Sequence, residues 1–595
     1  MDHAQTLTDW LATFDAALAA GDIPAVKALF HPHGYWRDIL AFTWNIKTME
    51  GTPAIVEMLE ATLAPTAPTG WATLGPVEVE DDCLSAWITF ATATAHGKGR
   101  VTLKDGLCHT LLTTLDDLRG HEEPRGKTRP KGLVHKADRN RKTWTENRAA
   151  EIAQLGDRTQ PYVLIVGAGQ GGMALGARLR QLGVPTLIVD KNCRAGDSWR
   201  NRYRSLVLHD PVGYDHMPYL PFPQNWPVFT PKDKMGDWLE CYAKLFELNI
   251  WQSTVCAHAE YDAATAEWQV QITREGHPVT LRPKHLVFAT GAYGPPRWPD
   301  WPGQPGYGGT LIHSSDYQGA EAFANKTCVV VGAGSSAHDI AVDLWEAGAK
   351  VTMVQRSPTT VVRSETLMEL GFGLYSEDAQ ARGIDVEKAD MIAAATPLAL
   401  FCEGQKQLYR TIRARDADFY THLAASGFAV DFGEDDSGLM MKALRTASGY
   451  YIDVGASELI ASSQIAIVSG SGVRELTDTG LKLDSGQEIT TDVIIACTGY
   501  ESMHETMAGI VSREAADATG PCWGLGSGVR GDPGPWQGEL RNMWKPTAVD
   551  ALWYHGGNLA LSRFYSRFLA FQLKARMLGL ETPVYGRPFP DQSGL

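Results

Sequence analysis

The stretch Tyr162-Val-Leu-Ile-Val-Gly-Ala-Gly-Gln-Gly-Gly172 decides the fold of this chain. Its apolar start is typical of a parallel strand that is buried on both faces. The loop glycines Gly167, Gly169 and Gly172 follow directly, and a helical pattern continues through Leu182. Glycines at this spacing allow a tight turn and let backbone N–H groups approach a pyrophosphate at the helix N-terminus. The stretch therefore predicts a strand, loop and helix that bind a dinucleotide.

An acidic residue stands where such a unit needs one. The next apolar strand, Thr186-Leu-Ile-Val189, ends in Asp190, about twenty residues after the loop, where a carboxylate accepts hydrogen bonds from the ribose hydroxyls of an adenosine. We expect Asp190 and the following Lys191 to contact the adenosine half of the ligand.

A second motif of the same kind begins at Thr327. The apolar strand Thr327-Cys-Val-Val-Val331 leads into the loop Gly332-Ala-Gly-Ser-Ser-Ala337, and residues 351–354 form the next strand. The loop residues expected to face a ligand are Gly332, Gly334, Ser335 and Ser336. The chain therefore has two predicted nucleotide sites, which indicates an α/β fold with two Rossmann-like domains.

The second site differs from the first at the ribose position. Where the first strand ends in Asp190, the second ends in Gln355, followed by Arg356. An arginine suits the 2′-phosphate of NADPH, whereas a carboxylate suits a free hydroxyl. We therefore expect NADPH at the second site, although an arginine can also simply be exposed at a strand end, and NADH stays possible.

Further motifs lie between and after the two loops. The segments Phe288-Ala-Thr-Gly291 and Ala496-Cys-Thr-Gly-Tyr500 look like two hinge motifs, and Tyr450-Tyr-Ile-Asp-Val-Gly455 follows the second loop. Between the loops lies a fingerprint formed by Tyr307, Gly309, His313 and Tyr317. Together, over residues 160 to 575, these motifs resemble class B flavin-dependent monooxygenases, and within that class the second-type or YUCCA-like flavin-containing monooxygenases. In that family the fingerprint histidine serves domain linkage as much as chemistry.

The resemblance implies an enzyme and its cofactors. Members bind FAD at the first site and use NAD(P)H and O2, through a C4a-(hydro)peroxyflavin, to oxygenate a small organic substrate. Both Baeyer–Villiger oxidation of a ketone and N- or S-oxygenation are open. The alternative is an NAD(P)H oxidase that releases hydrogen peroxide, or a flavin-dependent reductase. A dithiol reductase is disfavoured because Cys193 has no second cysteine near it in the sequence.

The resemblance also points to residues around the flavin. The segment Gly196-Asp-Ser-Trp-Arg200 looks like the one that lines the isoalloxazine, so Ser198, Trp199 and Arg200 become candidate FAD contacts. His209 is in register with the Asn that many members place beside the reacting flavin, and we predict a catalytic role for it; the alternative is that it only hydrogen-bonds flavin or backbone. Asn558 and Leu559 stand in a Gly-rich turn before a long predicted amphipathic helix that ends near Leu578, where N–H groups can face the flavin.

The first 120 residues have a different pattern of apolar and polar residues. Helical spacing over residues 6–30 is followed by alternating strands, with a hairpin turn at Asp105-Gly106. This pattern resembles the α+β cone fold of the ketosteroid-isomerase-like superfamily. His31, His33 and Asp38 could line an enzymatic cavity, but no acid–base pair stands out, which favours a dimerisation or packing module.

The predicted organisation is a cone-like unit (1–120), a linker (121–160), the first part of an FAD-binding domain (161–325), an NAD(P)H-binding domain (326–490) with a helical insert (366–447), and the C-terminal part of the FAD-binding domain (491–595). We assign the insert to a substrate-side cap by its position alone.

Composition restricts the partners. A net charge of −15 opposes binding to nucleic acid. The nine cysteines are scattered without metal-ligand spacing, so we expect no metal site and a cytoplasmic location. No apolar run is long enough for a membrane span. A homodimer is expected.

Overall fold

The computed structural model describes residues 3–132, 135–292 and 294–587. Residues 1–2 of the predicted N-terminal unit, 133–134 of the linker, 293 of the FAD-binding part and 588–595 of its C-terminal part lie outside the described residues. The chain is an α/β protein with two five-stranded parallel sheets, each built around one of the glycine loops. In the described ranges, no helix is long and apolar enough to cross a membrane.

The N-terminal unit is a six-stranded sheet with three helices. Its helices are α1 (His3–Ala20), α2 (Ile23–Ala28) and α3 (Gly51–Thr66), and its strands are β1 (Phe30–Ile39), β2 (Ile46–Glu50), β3 (Thr69–Glu80), β4 (Cys83–Ala91), β5 (Ala95–Lys104) and β6 (Leu107–Leu118). The strand order is β2-β1-β6-β5-β4-β3, with β1 and β6 parallel and the other neighbours antiparallel.

Aromatic rings fill the inner face of this sheet. The buried rings are Trp10, Phe14, Phe30, Trp36, Phe42, Trp71 and Phe90, packed in stacked and edge-to-face pairs. Asp38 is fully buried among them, and its carboxylate accepts hydrogen bonds from Thr113 Oγ1 and from the backbone and hydroxyl of Thr43. His31 and His33 lie nearer the surface. The geometry therefore gives Asp38 a structural role and favours the packing interpretation of this unit.

The outer face of the same sheet packs onto the rest of the chain. Ile39 of β1, Leu112 of β6 and Trp44 belong to the large hydrophobic core that also contains the first parallel sheet. Alternate residues of β1 and β6 thus enter two different cores, because successive side chains of a strand point to opposite faces.

The predicted linker contains a helix, α4 (Trp144–Gln154). Thr143 caps it, with Glu146 completing a capping box. Arg148 then donates to the Leu248 carbonyl at 3.0 Å. This polar segment is helical because its caps and ion pairs attach it to the edge of the neighbouring sheet.

The first parallel sheet has the order β25-β13-β7-β8-β9, and a three-stranded antiparallel sheet, β10-β11-β12, is attached to it. The elements up to β13 are β7 (Val163–Val166), α5 (Gln170–Gln181), β8 (Thr186–Val189), α6 (Asp197–Arg200), α7 (Lys232–Leu245), β9 (Ile250–Trp251), β10 (Thr254–Asp262), β11 (Glu267–Arg274), β12 (His277–Leu281) and β13 (His285–Phe288).

The second parallel sheet has the order β14-β24-β15-β16-β20, and a mainly helical insert follows β16. The elements are β14 (Thr310–His313), β15 (Thr327–Val331), α8 (Ser335–Glu346), β16 (Lys350–Gln355), β17 (Thr359–Arg363), α9 (Ser364–Gly371), α10 (Glu377–Ala381), α11 (Val386–Ala394), α12 (Leu398–Arg415), α13 (Ala417–Ala425), β18 (Val430–Asp431), α14 (Gly438–Thr446), β19 (Tyr450–Asp453), α15 (Ala456–Ala461), β20 (Ala466–Ser469), β21 (Val473–Thr477), β22 (Gly480–Leu483), β23 (Glu488–Thr490) and β24 (Val493–Ala496). Strands β17, β18 and β19 form a small parallel sheet that frames the insert.

The chain then returns to the first sheet. Helices α16 (Met503–Ile510) and α17 (Arg513–Thr519) lead to strand β25 (Leu552–Tyr554) and to the last helix, α18 (Leu559–Met577). The sequence predicts an amphipathic helix here, but most of α18 is buried. It packs on α5 on one side and on β6 of the N-terminal unit on the other, so the face expected in water is covered.

Candidate functional site

The two glycine loops have the same local geometry. Gly167 has φ 109°, and an added Cβ would lie 2.4 Å from the Ala289 carbonyl oxygen of the first hinge. Gly332 has φ 133°, and its Cβ would lie 2.4 Å from the Cys497 carbonyl oxygen of the second hinge. Both positions require glycine because L side chains rarely adopt this φ and no space is left beside the hinge.

The middle glycines instead face open space. An added Cβ at Gly169 would meet only the Ser198 hydroxyl, at 3.8 Å, and one at Gly334 only the Tyr450 carbonyl oxygen, at 3.9 Å. Each is the N-cap of the following helix and has no side chain to bond that helix's first N–H groups. Open space in front of unused backbone donors at a helix N-terminus fits a phosphate group, so both loops fit dinucleotide cofactors.

Asp190 lies at the end of β8 beside the first loop. Its Oδ2 accepts from the Ala168 N–H at 2.6 Å and its Oδ1 from the Asn192 N–H at 2.8 Å. Each carboxylate oxygen can accept more than one hydrogen bond, so ribose hydroxyls can still bind there. Lys191 and Ser198 are both exposed, and the Ser198 hydroxyl lies at the open space beside Gly169.

Trp199 and Arg200 follow on α6 and have different surroundings. The indole N–H of Trp199 donates to the Gln170 side chain at the start of α5, next to the loop. Arg200 is paired with Asp237 and Glu240 on α7, at 2.8 and 3.0 Å. This arginine therefore braces α6 against α7, and its charge is used within the protein.

At the second loop the structure separates the two ribose candidates. Gln355 is fully buried, and its amide bonds the hydroxyl groups of Thr359 and Ser469 and the backbone of Ala429. Because all its hydrogen-bonding capacity is used inside the sheet, it cannot reach a ligand. Arg356 is exposed, and its side chain has no ion pair with any residue that the structure describes.

Near the second loop, Ser335 donates its hydroxyl to the Tyr450 carbonyl oxygen at 3.2 Å. Ser336 follows as the second residue of α8 and keeps partial exposure. Both serines therefore stand in the first turn of the helix that faces the open space at Gly334.

The fingerprint histidine is bound to the second hinge. His313 is fully buried; its Nδ1 accepts from the Ser315 N–H at 3.1 Å, and its Nε2 lies 3.1 Å from the Gly499 carbonyl oxygen. Burial lowers the pKa of His313, so the ring is a neutral donor to the second hinge. Tyr307 donates to the Thr491 carbonyl, close against Gly309, and Tyr317 to the Asp343 carboxylate.

His209 lies where the two nucleotide-binding units meet. Its Nε2 is 3.7 Å from Oδ1 of Asp339 on α8, and the other carboxylate oxygen of Asp339 accepts from the Tyr203 hydroxyl at 2.7 Å. Burial raises the pKa of Asp339. Sequence reasoning did not find Asp339; its position five residues after the middle glycine would place it on the first turn and a half of the helix.

A second carboxyl group, Asp210, follows His209 in the chain. It contacts Asn558, the N-cap of α18, and burial raises its pKa to about 6, an effect that the neighbouring His209 opposes. Asp215 is almost fully buried, and its Oδ2 has no hydrogen-bond partner in the described structure. Burial, reinforced by the charge of Asp210, raises the pKa of Asp215 well above its usual range. Sequence reasoning missed both carboxyl groups.

Tyr214 connects this segment to α18 and to the insert. Its hydroxyl accepts from Asn558 Nδ2 at 3.2 Å, and its ring packs edge-on against Phe372 and Tyr375 of the insert. Asn558 also accepts from the Leu561 N–H at 3.0 Å, and Leu559 is buried behind it. The N-terminus of α18 is therefore enclosed by the 209–215 segment and the insert.

Comparison with known proteins gives the family. The model of the pyridine nucleotide-disulphide oxidoreductase family matches residues 164–370. Indole-3-pyruvate monooxygenase YUCCA1 of Oryza sativa subsp. japonica is 32% identical over 344 residues, which cover 58% of this chain and 77% of the relative. The probable indole-3-pyruvate monooxygenase YUCCA4 of Arabidopsis thaliana is 30% identical over 343 residues, with 58% and 76% covered.

The chain belongs to the class B flavin-dependent monooxygenases. The fold agrees: this monooxygenase superposes on the epsilon-caprolactone-bound cyclohexanone monooxygenase in its Loose conformation with a TM-score of 0.51 and 18% identity, over 70% of this chain and 88% of that one. The monooxygenase has nine free cysteines. Cys193 lies just before residues 196–200 and is an exposed free thiol, so this fold is used here without a cysteine pair at that position.

Proposed function

We propose that this monooxygenase binds FAD at the first loop and NADPH at the second, and transfers one oxygen atom of O2 to a small carbonyl compound, while the other leaves as water. The observation that carries the proposal is the position of His209 between the carboxyl groups of Asp339 and Asp210, beside the N-terminus of α18. Relatives named for their action on indole-3-pyruvate, a carbonyl compound, support the same substrate class.

The cofactor assignment rests on the open space in front of the two glycine loops and on the residues around it. Gly167, Gly169, Gly172, Asp190, Lys191, Ser198, Trp199, Asn558 and Leu559 would hold FAD, and Gly332, Gly334, Ser335, Ser336 and Arg356 would hold NADPH. Arg200 and Gln355 form hydrogen bonds within the protein, so they would hold the neighbouring segments in place without contacting a cofactor. Bound FAD supplies the oxygen chemistry, accepting hydride from NADPH and activating O2.

The protein's own contribution begins with His209. The Nε2 edge of its ring faces Asp339, so Nδ1 is the nitrogen that would donate a hydrogen bond to bound flavin. Asp339 orients that ring from the NADPH side, so the donor is in place only when the two nucleotide-binding units are correctly seated. Fixed donors aimed at developing charge act strongly where water is excluded.

The insert and the 209–215 segment exclude water from this region. Gly213 is pressed against the insert, since a Cβ there would lie 2.1 Å from the Tyr375 carbonyl oxygen. Tyr214 closes the same contact with its ring. A closed, water-poor site limits loss of activated oxygen as hydrogen peroxide. The proposal also includes the domain limits that were predicted from the sequence. The homodimer and the cytoplasmic location stay predictions.

The test follows NADPH consumption, O2 uptake, hydrogen peroxide and product for the FAD-loaded enzyme. The probes are cyclohexanone and phenylpyruvate as carbonyl compounds, and thioanisole and trimethylamine as sulfur and nitrogen centres. Product from a carbonyl probe in near one-to-one ratio to NADPH supports the proposal. Product from the sulfide or amine alone overturns the substrate class. Stoichiometric peroxide with every probe would mean that the chain works as an NAD(P)H oxidase.

A further inference from the structure

Arg37 of the N-terminal sheet joins three parts of the chain that are far apart in sequence. Its guanidinium, 3% exposed, binds both carboxylate oxygens of Glu539 at 2.6 and 2.7 Å. It also donates to the Ala394 carbonyl oxygen at 2.8 Å and to the Tyr565 hydroxyl at 2.8 Å. Glu539 accepts a further hydrogen bond from Thr48 of β2 at 2.7 Å. All these groups are buried, so the arrangement is a single interior junction.

Two partners of Arg37 lie on elements that enclose the candidate site. Ala394 is the last residue of α11 in the insert, and Tyr565 lies on α18, whose N-terminus carries Asn558. One turn earlier in α11, Asp390 pairs with Arg563 of α18 through two hydrogen bonds of 2.7 and 2.8 Å. Helix α11 is therefore held against α18 at two points, and one of them depends on the N-terminal unit.

We propose that the N-terminal unit acts in the oxygenation reaction as a positioning unit, in which Arg37 sets where the insert lies against α18. Arg37 touches neither cofactor nor substrate, so it is a positioning residue. The inference rests on the proposed function in one respect, the role of the insert in closing the site. No activity is assigned to the N-terminal unit, whose inner face is filled by aromatic rings.

The choice of an arginine supports positioning over simple stability. A buried ion pair costs so much desolvation that apolar side chains of similar size often give equal or greater stability. What the planar guanidinium offers is several donors in a fixed geometry, which a lysine cannot reproduce. Here the donors are directed to three separate elements, so a small shift of any one of them would break a buried, charge-assisted hydrogen bond.

An apolar contact surface surrounds Arg37. Ile39, Trp44 and Leu112 of the N-terminal unit pack in the core that also contains Tyr565. The aromatic ring of Tyr565 stacks on Trp544 with centroids 3.9 Å apart. This apolar surface supplies the attachment between the two units, while Arg37 supplies the alignment with the insert.

The experiment compares Arg37→Lys, which keeps the charge and loses the planar guanidinium, with the double variant R37M/E539Q, which removes both charges of the ion pair together. Hydrogen exchange followed by mass spectrometry reports on peptides of α11, β7 and β1 in the FAD-loaded, full-length enzyme. Iodide quenching of flavin fluorescence reports on access to the site. The matched control is Arg567→Met, which breaks another contact between the same units, with Asp116 at 2.8 Å, that does not involve the insert.

We expect α11 peptides of both Arg37 variants to exchange about tenfold faster, as the loss of a charge-assisted hydrogen bond predicts, while β7 peptides keep their protection. Iodide quenching and peroxide formed per NADPH should rise in the same variants and stay near wild type in R567M. Unchanged α11 exchange, or equal effects in R567M, overturns the inference. Failure of the proposed function looks different: the wild-type enzyme itself would release stoichiometric peroxide, while the exchange of α11 would still report on Arg37.

Discussion

The Nε2 atom of His209 lies 3.7 Å from Oδ1 of Asp339, so a residue beside the first cofactor site is paired with the helix that follows the second glycine loop. Tyr203, also from the first unit, donates to the other oxygen of the same carboxylate. One carboxyl group on α8 thus holds two side chains from the opposite unit. Seating of the two units and orientation of His209 are therefore coupled.

His209→Ala should uncouple NADPH oxidation from product formation. Loss of a fixed donor in a water-poor site typically lowers the rate of the chemical step by about a hundredfold. Asp339→Asn should change coupling in the same direction and less strongly, because the imidazole stays but is less firmly oriented. Product and peroxide measured per NADPH check both. If His209→Ala stays fully coupled, His209 only hydrogen-bonds its neighbours.

Gly169→Ala should fold and fail to bind FAD. Its backbone is extended, and an added methyl group would enter only the open space before α5. Gly334→Ala should keep the yellow colour and raise KM for NADPH, since the same methyl group would enter the second loop. FAD content and NADPH titration separate the two variants. FAD bound as tightly by G169A as by wild type would move the pyrophosphate away from this loop.

Gly167→Ala provides the contrast. Its φ of 109° and the Ala289 carbonyl oxygen 2.4 Å from an added Cβ make the substitution strained whether or not a cofactor binds. We expect a loss of at least about 2 kcal/mol in stability, seen as a lower Tm in the FAD-free protein. A Tm equal to that of wild type would contradict the backbone geometry.

Arg356→Gln should raise KM for NADPH by about ten- to a hundredfold, the usual effect of removing a hydrogen bond to a charged group. KM for NADH should change little, because NADH has no 2′-phosphate. Gln355→Leu tests the other ribose candidate: it should lower Tm, since it removes four buried hydrogen bonds, and leave the preference between the two coenzymes unchanged. A coenzyme preference altered by Q355L and not by R356Q would reverse these assignments.

Asp210→Asn should change how stability depends on pH. Burial raises the pKa of Asp210 from 3.8 to about 6, so the folded protein binds this proton more tightly than the unfolded chain does. The wild type therefore loses stability as pH rises from about 4 to about 6, by on the order of 3 kcal/mol for a shift of this size.

The Asn variant has no proton to lose, so its Tm relative to wild type should rise across that pH window. Groups that face Asp210 and Asp215 contribute as well: His209 and Tyr214 on the same segment, and Asn558 and Arg563 on α18. The exposed Asp418→Asn on α13 is the control and should follow wild type at every pH. Parallel pH curves for D210N and wild type would contradict the raised pKa.

Much of the fold could be predicted from the sequence because the signals are local. Strands β8 and β15 begin and end at the residues predicted for them. Gly167 and Gly332 have the positive φ angles that a tight turn at a glycine loop requires. These features depend on a few neighbouring residues, whose types already limit the backbone. The same local signals, read together in order, identified the family.

Other features could not be predicted from the sequence, because the burial of a residue depends on segments that are distant in the chain and pack against it. The sequence predicted one solvent face for α18, but the N-terminal sheet covers it. It also gave Gln355 together with Arg356 as predicted NADPH contacts, whereas the sheet uses the glutamine internally and leaves the arginine exposed. A polar side chain looks the same in the sequence whether it binds a ligand or forms hydrogen bonds with buried polar groups of the protein.

By itself, then, the sequence determined two glycine loops, their strands and the family, since each follows from residue type and short spacing. Only the tertiary structure decided which polar groups meet: His209 lies near Asp339, and the charge of Arg37 is paired with Glu539, 502 positions away. The physical reason is that a buried charge requires a partner at hydrogen-bonding distance. That partner can come from any element, so only the packed fold identifies it.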